Sequence, residues 1–333
     1  MTTDVARVVR LLGPRELVIE EQPLAAPGEG ELLCETLVSA ISPGTELAAY
    51  QGLPPLRPGP QYPRVQGYCN VARVVESRCE DVPAGARVLS FTSHRDRFVL
   101  PRGEVLYVLP EGVDAGRIAT AYLFHLGYNA VLRGGVRPGS RVLVIGLGAL
   151  GLTSVAMAAL AGAEVWGLSD HERPAELALG LGARSVHRRS DEAGLLSALG
   201  GGADVVINTV NGWDDWALGL GLAAQNGVIA CLGFPGRGQP APQANPFEAK
   251  DFYFKQLRVE AVGWSPETND SRGFLRFNER DNLAWIAGLI ERGRLDADAI
   301  ISGRYRADDI ERAYADLAAR VDSPVTYLLD WTS

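Results

Sequence analysis

Between residues 119 and 265, short apolar runs alternate with longer segments of helical character. The runs are rich in Val, Ile and Leu and have the length of buried strands, whereas several of the segments between them are rich in Ala and Leu. Such alternation predicts a parallel sheet with helices on both of its faces. The predicted strands are Val142–Ile145, Val165–Leu168, Val205–Asn208, Val228–Leu232 and Leu257–Val262.

The first 118 residues follow a different pattern, because Pro and Gly interrupt them often and their apolar runs are short. Runs such as Glu31 to Val38, Asn70 to Glu76 and Ala86 to Phe91 are typical of a small, irregular β-barrel. The last part of the chain predicts two helices and a closing strand, at Leu283–Arg292, Asp308–Ala319 and Thr326–Leu329. A chain of 333 residues is long for a single core, so we expect two domains.

The first strand of the alternating region runs into a glycine-rich loop, GLGALG, at positions 146–151. A glycine at Gly146 permits a tight turn, Gly148 lets the backbone approach a pyrophosphate, and Gly151 lets the following helix pack on the strand. The N–H groups at the helix start, at Ala149 and Leu150, would then face two phosphates along the favourable end of the helix dipole. Because the loop lies between a strand and a helix, the sequence predicts a dinucleotide site.

The choice between NAD and NADP depends on the end of the second strand, where Ser169, Asp170 and Arg173 follow one another closely. A carboxylate there accepts hydrogen bonds from the adenosine ribose of NAD, whereas an arginine accommodates the 2′-phosphate of NADP. If Asp170 takes the decisive position NAD is favoured, and if Ser169 with Arg173 takes it NADP is favoured. The sequence leans slightly to NAD. Further cofactor contacts are predicted at the ends of the later strands, at Thr209, Val210, Leu232 and Gly233.

Composition and charge exclude several classes of partner. The formal net charge is −8, and both nucleic acids and anionic membranes require a basic surface. No apolar run approaches the roughly 20 residues that a membrane span needs, and no signal-peptide core is found at the N-terminus. The four cysteines form neither a CxxC pair nor a dense framework. We therefore expect a cytoplasmic protein that acts on a small molecule.

Several motifs resemble those of the medium-chain dehydrogenase/reductase superfamily of zinc-type alcohol dehydrogenases, and the resemblance covers nearly the whole chain. They are VSAISPGTE at 38–46, PRVQGYC at 63–69, PGSRVLV at 138–144, KQLRV at 255–259 and YLLDW at 327–331. The SPGTE variant and the YLLDW ending are similar to a zinc-poor branch that includes bacteriochlorophyllide dehydrogenase-like proteins.

The resemblance implies an α/β protein in which a Rossmann doubly wound parallel sheet accompanies a GroES-like irregular β-barrel. The GroES-like catalytic domain would comprise residues 1–118, completed by 266–333, and the Rossmann dinucleotide-binding domain residues 119–265. The substrate would bind in the cleft between them. A homodimer is also implied, because relatives pair the edge strand of the Rossmann sheet across a two-fold axis.

The chain departs from the zinc enzymes at all three positions that hold the catalytic metal. Ser42 replaces a cysteine, Tyr68 replaces a histidine, and the third ligand position falls at or beside Tyr122. Neutral hydroxyl groups are poor Zn²⁺ ligands, and Cys69 with His125 would still supply fewer than three. We therefore expect no metal.

Without a metal, a side chain must exchange a proton with the substrate oxygen. The candidates for this chemistry are Tyr68, His125, Thr45, Glu46 and Tyr122, and the candidates for substrate contact are Ser42, His94 and Phe91. Tyr68 could donate a proton if a neighbour lowers its pKa from about 10, or it could simply fill the vacated metal cavity. His125 has the side chain whose ordinary pKa best suits exchange near neutrality, or it could be a satisfied structural histidine.

The resemblance implies a zinc-independent, NAD(P)-dependent oxidoreductase that interconverts an alcohol and a ketone or aldehyde by hydride transfer. One alternative is an NADPH-dependent quinone or enoyl reductase, which acts on a C=C bond and also needs no metal. Another alternative is a catalytically silent dinucleotide-binding protein that serves as a sensor or a structural protein.

Overall fold

The structure is a computed structural model that describes residues 4–54 and 59–332. The chain divides into two compact units. One contains Met1–Tyr122 and Thr268–Ser333, and the other contains Leu123–Glu267. The expected fold class is confirmed, because the second unit holds a parallel sheet and the first holds separate, mainly antiparallel sheets.

The strands and helices have the following bounds. The strands are β1 (Val5–Gly13), β2 (Glu16–Pro23), β3 (Glu31–Ala40), β4 (Arg64–Val65), β5 (Asn70–Ser77), β6 (Arg87–Ser90), β7 (Arg97–Pro101), β8 (Tyr107–Leu109), β9 (Arg141–Ile145), β10 (Glu164–Leu168), β11 (Ser185–His187), β12 (Ala203–Asn208), β13 (Ala223–Cys231), β14 (Arg258–Ala261), β15 (Ile301–Arg306) and β16 (Thr326–Asp330). The helices are α1 (Pro43–Tyr50), α2 (Ala115–Ala119), α3 (Ala121–Gly134), α4 (Ala149–Leu160), α5 (Glu172–Gly180), α6 (Glu192–Ala198), α7 (Trp213–Leu222), α8 (Glu279–Glu291) and α9 (Ile310–Ala319). Over the described ranges, none of the helices has the length and apolar character needed to cross a membrane.

The second unit is built on a six-stranded sheet whose order is β11-β10-β9-β12-β13-β14, with every pair parallel. Counted within the unit, this is the order 3-2-1-4-5-6 of a doubly wound dinucleotide-binding sheet. The central strand β9 is covered on both faces, so Val142 to Ile145 are all fully buried. This explains why the strand appears in the sequence as a continuous apolar run rather than an alternating one.

The five strands predicted for this region are all present as β9, β10, β12, β13 and β14, with shifted ends. The sequence does not predict β11, which lies at the sheet edge beside β10. Its three residues, Ser185–His187, are only half-buried, and Val186 is the one apolar residue among them. An edge strand this short buries too little apolar surface to leave a pattern in the sequence.

The first unit contains a three-stranded sheet, β2-β1-β4, and a larger sheet of order β15-β16-β3-β5-β6-β8 with β7 also paired to β3. The C-terminal strand β16 joins the N-terminal part of the chain by antiparallel pairing with β3, where Leu329 lies opposite Ser39. Helices α1 and α9 pack together over a core that includes Leu11, Ile41 and Tyr314. Residues from both ends of the chain therefore meet near the start of α1.

Candidate active site

The glycine-rich loop of the second unit has the geometry that a dinucleotide site requires. Gly146 has a φ of +84°, and a Cβ there would lie 2.4 Å from a methyl carbon of Val210. A Cβ on Gly151 would lie 1.8 Å from the carbonyl oxygen of Gly146, so only glycine allows α4 to begin this close to β9. A Cβ on Gly148 would meet no protein atom within 4 Å, which leaves room for a ligand at that point.

The remaining predicted cofactor residues surround the same loop. Thr209 donates from its hydroxyl to the carbonyl oxygens of Ile145 at 2.9 Å and Gly146 at 3.0 Å. A Cβ on Gly233 would lie 2.5 Å from the carbonyl oxygen of Val210, so the loops after β12 and β13 are in direct contact. Leu232, next to Gly233, is buried. No side chain caps α4, so the N–H groups of Ala149 and Leu150 at its start fit an anionic group.

At the end of β10, the structure shows a partner for Asp170 that the sequence does not indicate. The Arg189 main-chain N–H donates to Oδ1 of Asp170 at 3.0 Å, and its guanidinium donates to Oδ2 at 2.6 Å. The same guanidinium donates to Asp215 at 2.7 Å. These bonds lower the pKa of Asp170, with the main-chain N–H as the largest cause. Ser169, the first residue after β10, is buried, and its hydroxyl oxygen accepts from the N–H of His171 at 3.2 Å.

In the first unit, three hydroxyl groups meet at the start of α1. The Tyr68 hydroxyl donates to Oγ of Ser42 at 2.5 Å, and the Thr45 side chain hydrogen-bonds the same phenol oxygen. Ser42 is buried, Tyr68 is partly exposed and Thr45 is exposed, so the cluster extends from the interior to the surface. Three of the predicted residues are thus brought together.

An aromatic series continues from this cluster along the same unit. The rings of Tyr68 and Tyr122 meet edge to face with centroids 5.2 Å apart, and those of Tyr122 and Phe91 meet in the same way at 5.1 Å. All three rings are partly or substantially exposed. They provide an apolar surface beside the Tyr68 hydroxyl.

The surroundings of Tyr68 and His125 shift the pKa of each side chain away from neutrality, contrary to what the sequence suggests for proton transfer. Desolvation of its hydroxyl raises the pKa of Tyr68 well above its ordinary value, and the charges of Cys69 and Glu46 raise it further; the hydrogen bonds with Ser42 and Thr45 lower it but do not compensate. Burial lowers the pKa of His125, which is 1% exposed, to about 4. In each case the neutral form is favoured because the charged form loses its hydration. His125 therefore does not exchange protons near neutral pH as its ordinary pKa suggests.

His94 and Glu46 lie beneath the hydroxyl cluster rather than at its surface. His94 is fully buried, with Nε2 3.0 Å from a carboxylate oxygen of Glu46 and Nδ1 2.8 Å from Oγ of Ser39. Since both ring nitrogens are engaged and no ring atom reaches solvent, the expected substrate contact of His94 is wrong for this structure. Glu46 bonds the Ser42 main chain and not the Tyr68 hydroxyl.

The donor groups at the former metal positions do not fit zinc. Ser42, Tyr68 and Tyr122 offer hydroxyl oxygens, and burial raises the pKa of the neighbouring Cys69 thiol, which disfavours the thiolate that binds metal. Across residues 4–54 and 59–332, no three His, Cys, Asp or Glu side chains are grouped so that they could hold a metal ion. No step in the chemistry below is therefore assigned to a metal.

The sequence interpretation misses functional neighbours that come from distant parts of the chain. Tyr314 donates its hydroxyl to Glu46, and Trp331 donates its indole N–H to Ser39 at 3.0 Å. Arg189 appears in the sequence only as part of a basic run. Each contact joins residues more than 15 positions apart, and no local pattern marks such pairs.

Comparisons with known proteins agree with this architecture. The sequence model of a family described as zinc-binding dehydrogenase matches residues 149–280. The NADP-dependent alcohol dehydrogenase C 1 of Mycolicibacterium smegmatis is 33% identical over 147 residues, which is 44% of this chain but only 41% of that enzyme. The 2-desacetyl-2-hydroxyethyl bacteriochlorophyllide A dehydrogenase of Cereibacter sphaeroides is 26% identical over 97% of each chain.

A solved structure shows the same fold over the whole chain. The 2R,3R-butanediol dehydrogenase of Bacillus subtilis superposes with a TM-score of 0.80 at 18% identity, covering 98% of this chain and 99% of that one. The glycine-rich loop and the 3-2-1-4-5-6 sheet agree with this likeness in fold. The chain is thus similar in fold to a butanediol dehydrogenase, similar in sequence over nearly its full length to a bacteriochlorophyllide dehydrogenase, and matched over residues 149–280 by the zinc-binding dehydrogenase family.

Proposed function

We propose that this protein is a zinc-independent, NADP-dependent oxidoreductase that interconverts an alcohol and a ketone or aldehyde. The observation that carries the proposal is the Tyr68 hydroxyl, bonded to Ser42 at 2.5 Å and to Thr45 where zinc relatives place a metal ligand. A protonated phenol at that point supplies what the metal would otherwise supply, a group that stabilises charge on the substrate oxygen.

In this reaction the cofactor and three side chains would have separate roles. When bound, the cofactor would supply the hydride that reduces the carbonyl carbon. With substrate bound, Tyr68 would turn its O–H from Ser42 to the carbonyl oxygen and donate its proton there, which completes the alcohol, while the Ser42 hydroxyl would donate to the phenol oxygen and hold it in place. Thr45 is exposed and bonded to the same phenol oxygen, so a proton from water could return to Tyr68 through it. Oxidation of the alcohol would use the same groups in reverse.

We infer that the substrate carries its oxygen on an apolar, ring-bearing group. The edge-to-face series of Tyr68, Tyr122 and Phe91 supports this inference, because such a surface binds flat apolar groups better than polyols. One relative similar over its full length is named for a hydroxyethyl group on bacteriochlorophyllide.

The hydrogen bonds of Asp170 support the choice of NADP. Both of its carboxylate oxygens are bonded to Arg189, and a carboxylate that accepted ribose hydroxyls would have to share them. Ser169 is then the residue at the strand end, with Arg173 in the first turn of α5. We therefore propose NADP, although the sequence leans slightly to NAD on the premise that Asp170 takes the decisive position. The M. smegmatis alcohol dehydrogenase that is 33% identical to this chain over 147 residues is named as NADP-dependent.

The test uses NADPH with two ketones, acetophenone and cyclohexenone. Carbonyl reduction converts cyclohexenone to cyclohexenol, whereas C=C reduction converts it to cyclohexanone, so one product analysis separates the two reactions. We expect cyclohexenol, and we expect Tyr68→Phe to lower kcat for acetophenone roughly 100-fold, the usual scale for loss of a proton donor.

The control for Tyr68→Phe is Tyr107→Phe, which removes a tyrosine hydroxyl bonded to Glu291 elsewhere in the same unit. It should leave kcat unchanged. Cyclohexanone as the product would assign the protein to the C=C reductases. NADPH binding without turnover of either ketone would favour the silent sensor, and a fully active Tyr68→Phe would remove Tyr68 from the chemistry.

A further inference from the structure

A buried polar network lies directly beneath the Tyr68–Ser42 pair. Its centre is Glu46, whose side chain is 1% exposed. Oε1 accepts from the Ser42 main-chain N–H at 2.7 Å, while Oε2 accepts from His94 at 3.0 Å and from the Tyr314 hydroxyl. A carboxylate this far from solvent is costly without strong donors, so these three bonds are needed to keep it there.

The network continues outward from His94 to the C-terminal part of the chain. The Trp331 indole can only donate, so Oγ of Ser39 accepts from it at 3.0 Å. The same Oγ lies 2.8 Å from Nδ1 of His94, and Nε2 of His94 lies 3.0 Å from Glu46. Both ring nitrogens of His94 are therefore engaged within the network, which fixes the orientation of the imidazole.

His94 also supports the backbone on which Tyr68 lies. Gly67 has a φ of +88°, and a Cβ there would lie 2.6 Å from three atoms of the His94 imidazole. The peptide before Tyr68 is therefore in direct contact with that ring. The His94 side chain thus supports both residues of the hydroxyl pair. It contacts Glu46, which bonds the main chain of Ser42, and it packs against Gly67, the residue before Tyr68.

We propose that His94, Glu46 and Tyr314 form a positioning network that holds the Ser42 and Tyr68 hydroxyls in the arrangement needed for proton donation to the substrate. None of the three touches the reacting atoms. Tyr314 lies in α9 and Trp331 follows β16, so the last part of the chain contributes two of the hydrogen-bond donors in the network. The proposal rests on the proposed function, because it assigns these residues to the role given there to Tyr68.

The test compares two tyrosine-to-phenylalanine variants. Each removes a hydrogen bond between a tyrosine and a carboxylate, and in each bond one of the two residues lies in α9. Tyr314→Phe removes the hydroxyl bonded to Glu46, and Tyr305→Phe removes the hydroxyl bonded to Asp316 at 2.5 Å, outside the network. We expect Tyr314→Phe to lower kcat for acetophenone reduction about tenfold, the effect of weakening one bond to a charged group. Its KM for acetophenone and its affinity for NADPH should not change, and Tyr305→Phe should match the wild type.

A second variant guards against misfolding of Tyr314→Phe, whose side chain is fully buried. Trp331→Phe removes only the outermost donor, from a partly exposed residue, and should lower kcat a few-fold with NADPH affinity unchanged. Unchanged kcat in both variants would overturn the network proposal, as would an equal loss in Tyr305→Phe. If Tyr68→Phe is itself fully active, the proposed function is wrong, whatever the other variants show. If only Tyr68→Phe lowers kcat, the network proposal is wrong and the proposed function stands.

Discussion

The phenol of Tyr68 and the imidazole of His125 respond to burial in opposite directions, and both remain neutral. The pKa of Tyr68 rises, so its proton is retained throughout the physiological range, although the phenol is a weaker acid than an ordinary tyrosine. The pKa of His125 falls to about 4, which removes its charge at pH 7. A neutral tyrosine is suited to the reduction of a carbonyl, whereas a neutral, buried histidine is suited to packing in α3.

The lowered pKa of His125 predicts a dependence of stability on pH. The unfolded histidine titrates near 6.5, so below that value the unfolded state binds a proton that the folded state takes up only near pH 4. The free energy of unfolding should therefore fall as the pH drops from 6.5 to 4, by up to about 3 kcal/mol from this group. Urea titrations of the wild type and His125→Gln across this range measure the effect.

His125→Gln removes the titrating group but keeps a polar side chain of similar size. The difference in unfolding free energy between the two proteins isolates this residue from the carboxylates that titrate in the same range. We expect that difference to change with pH between 6.5 and 4 and to be constant above 7. A difference that does not vary with pH would show that His125 is protonated equally in both states.

The residues that the sequence predicts best are those whose chemistry depends on local spacing. The glycines at 146, 148 and 151 have the roles expected of them, because each is fixed by the turn between one strand and the next helix. His94 and Glu46 could be singled out but not placed, since their partners Ser39 and Tyr314 lie far away in sequence. Contacts of that kind depend on how strands pair, and a single sequence does not show it.

The loops after β10 and β11 form the predicted adenosine end of the cofactor site. The two strands are neighbours, with Leu168 opposite His187, so the loops that follow them emerge side by side. Arg189 ties them together through Asp170, and it reaches the first turn of α7 through Asp215. The loops are thus held in place from within the protein before any ligand binds.

We predict that Arg173→Ala weakens binding of NADPH about tenfold and leaves binding of NADH nearly unchanged. Arg173 lies in the first turn of α5, four residues after Ser169, where a cation would interact with the 2′-phosphate that NADH lacks. Fluorescence titration with each reduced cofactor gives both dissociation constants.

The matched control is Arg184→Ala. Arg184 is also an exposed arginine, but it is paired with Glu164 and directly precedes β11, so it lies at the amino-terminal end of the parallel strands, away from the predicted cofactor site. It should leave both dissociation constants unchanged. Tighter binding of NADH than of NADPH by the wild type would contradict the assignment of Ser169 and restore the role of Asp170.

Among the elements, the buried parallel strands are the most predictable from sequence. In β9 every residue from Val142 to Ile145 is fully buried, so the pattern is an unbroken apolar run. Strands β11 and β15 escape prediction because most of their residues are polar and none of them is fully buried. Their pairing is determined by neighbouring strands rather than by their own composition.

The six-stranded sheet ends in β14, which is an edge strand with an exposed valine at its centre. An unpaired edge strand is a liability, and antiparallel pairing with a second copy about Val259 would cover it. In that register Arg258 of each copy lies opposite Glu260 of the other, so the charges are complementary. We propose that the protein is a homodimer formed along this edge.

Val259→Asp should convert the dimer to a monomer, because it places two carboxylates opposite each other across the axis. We expect the dissociation constant of the dimer to rise at least 100-fold. Val108→Asp is the control, since Val108 is about equally exposed and lies on β8, the edge strand of another sheet. Sedimentation velocity over a dilution series should show twice the chain mass for the wild type and the control. A monomeric wild type would contradict the proposal.

The proposed function requires carbonyl reduction that needs no metal. The most direct test measures the zinc content and the rate of acetophenone reduction by NADPH on the same protein samples, prepared with and without chelator. We expect the full rate in samples whose zinc content is far below one ion per chain. A rate that rises in proportion to bound zinc would contradict the proposed function, and would make the hydroxyl groups of Ser42, Tyr68 and Tyr122, or the thiol of Cys69, part of a metal site.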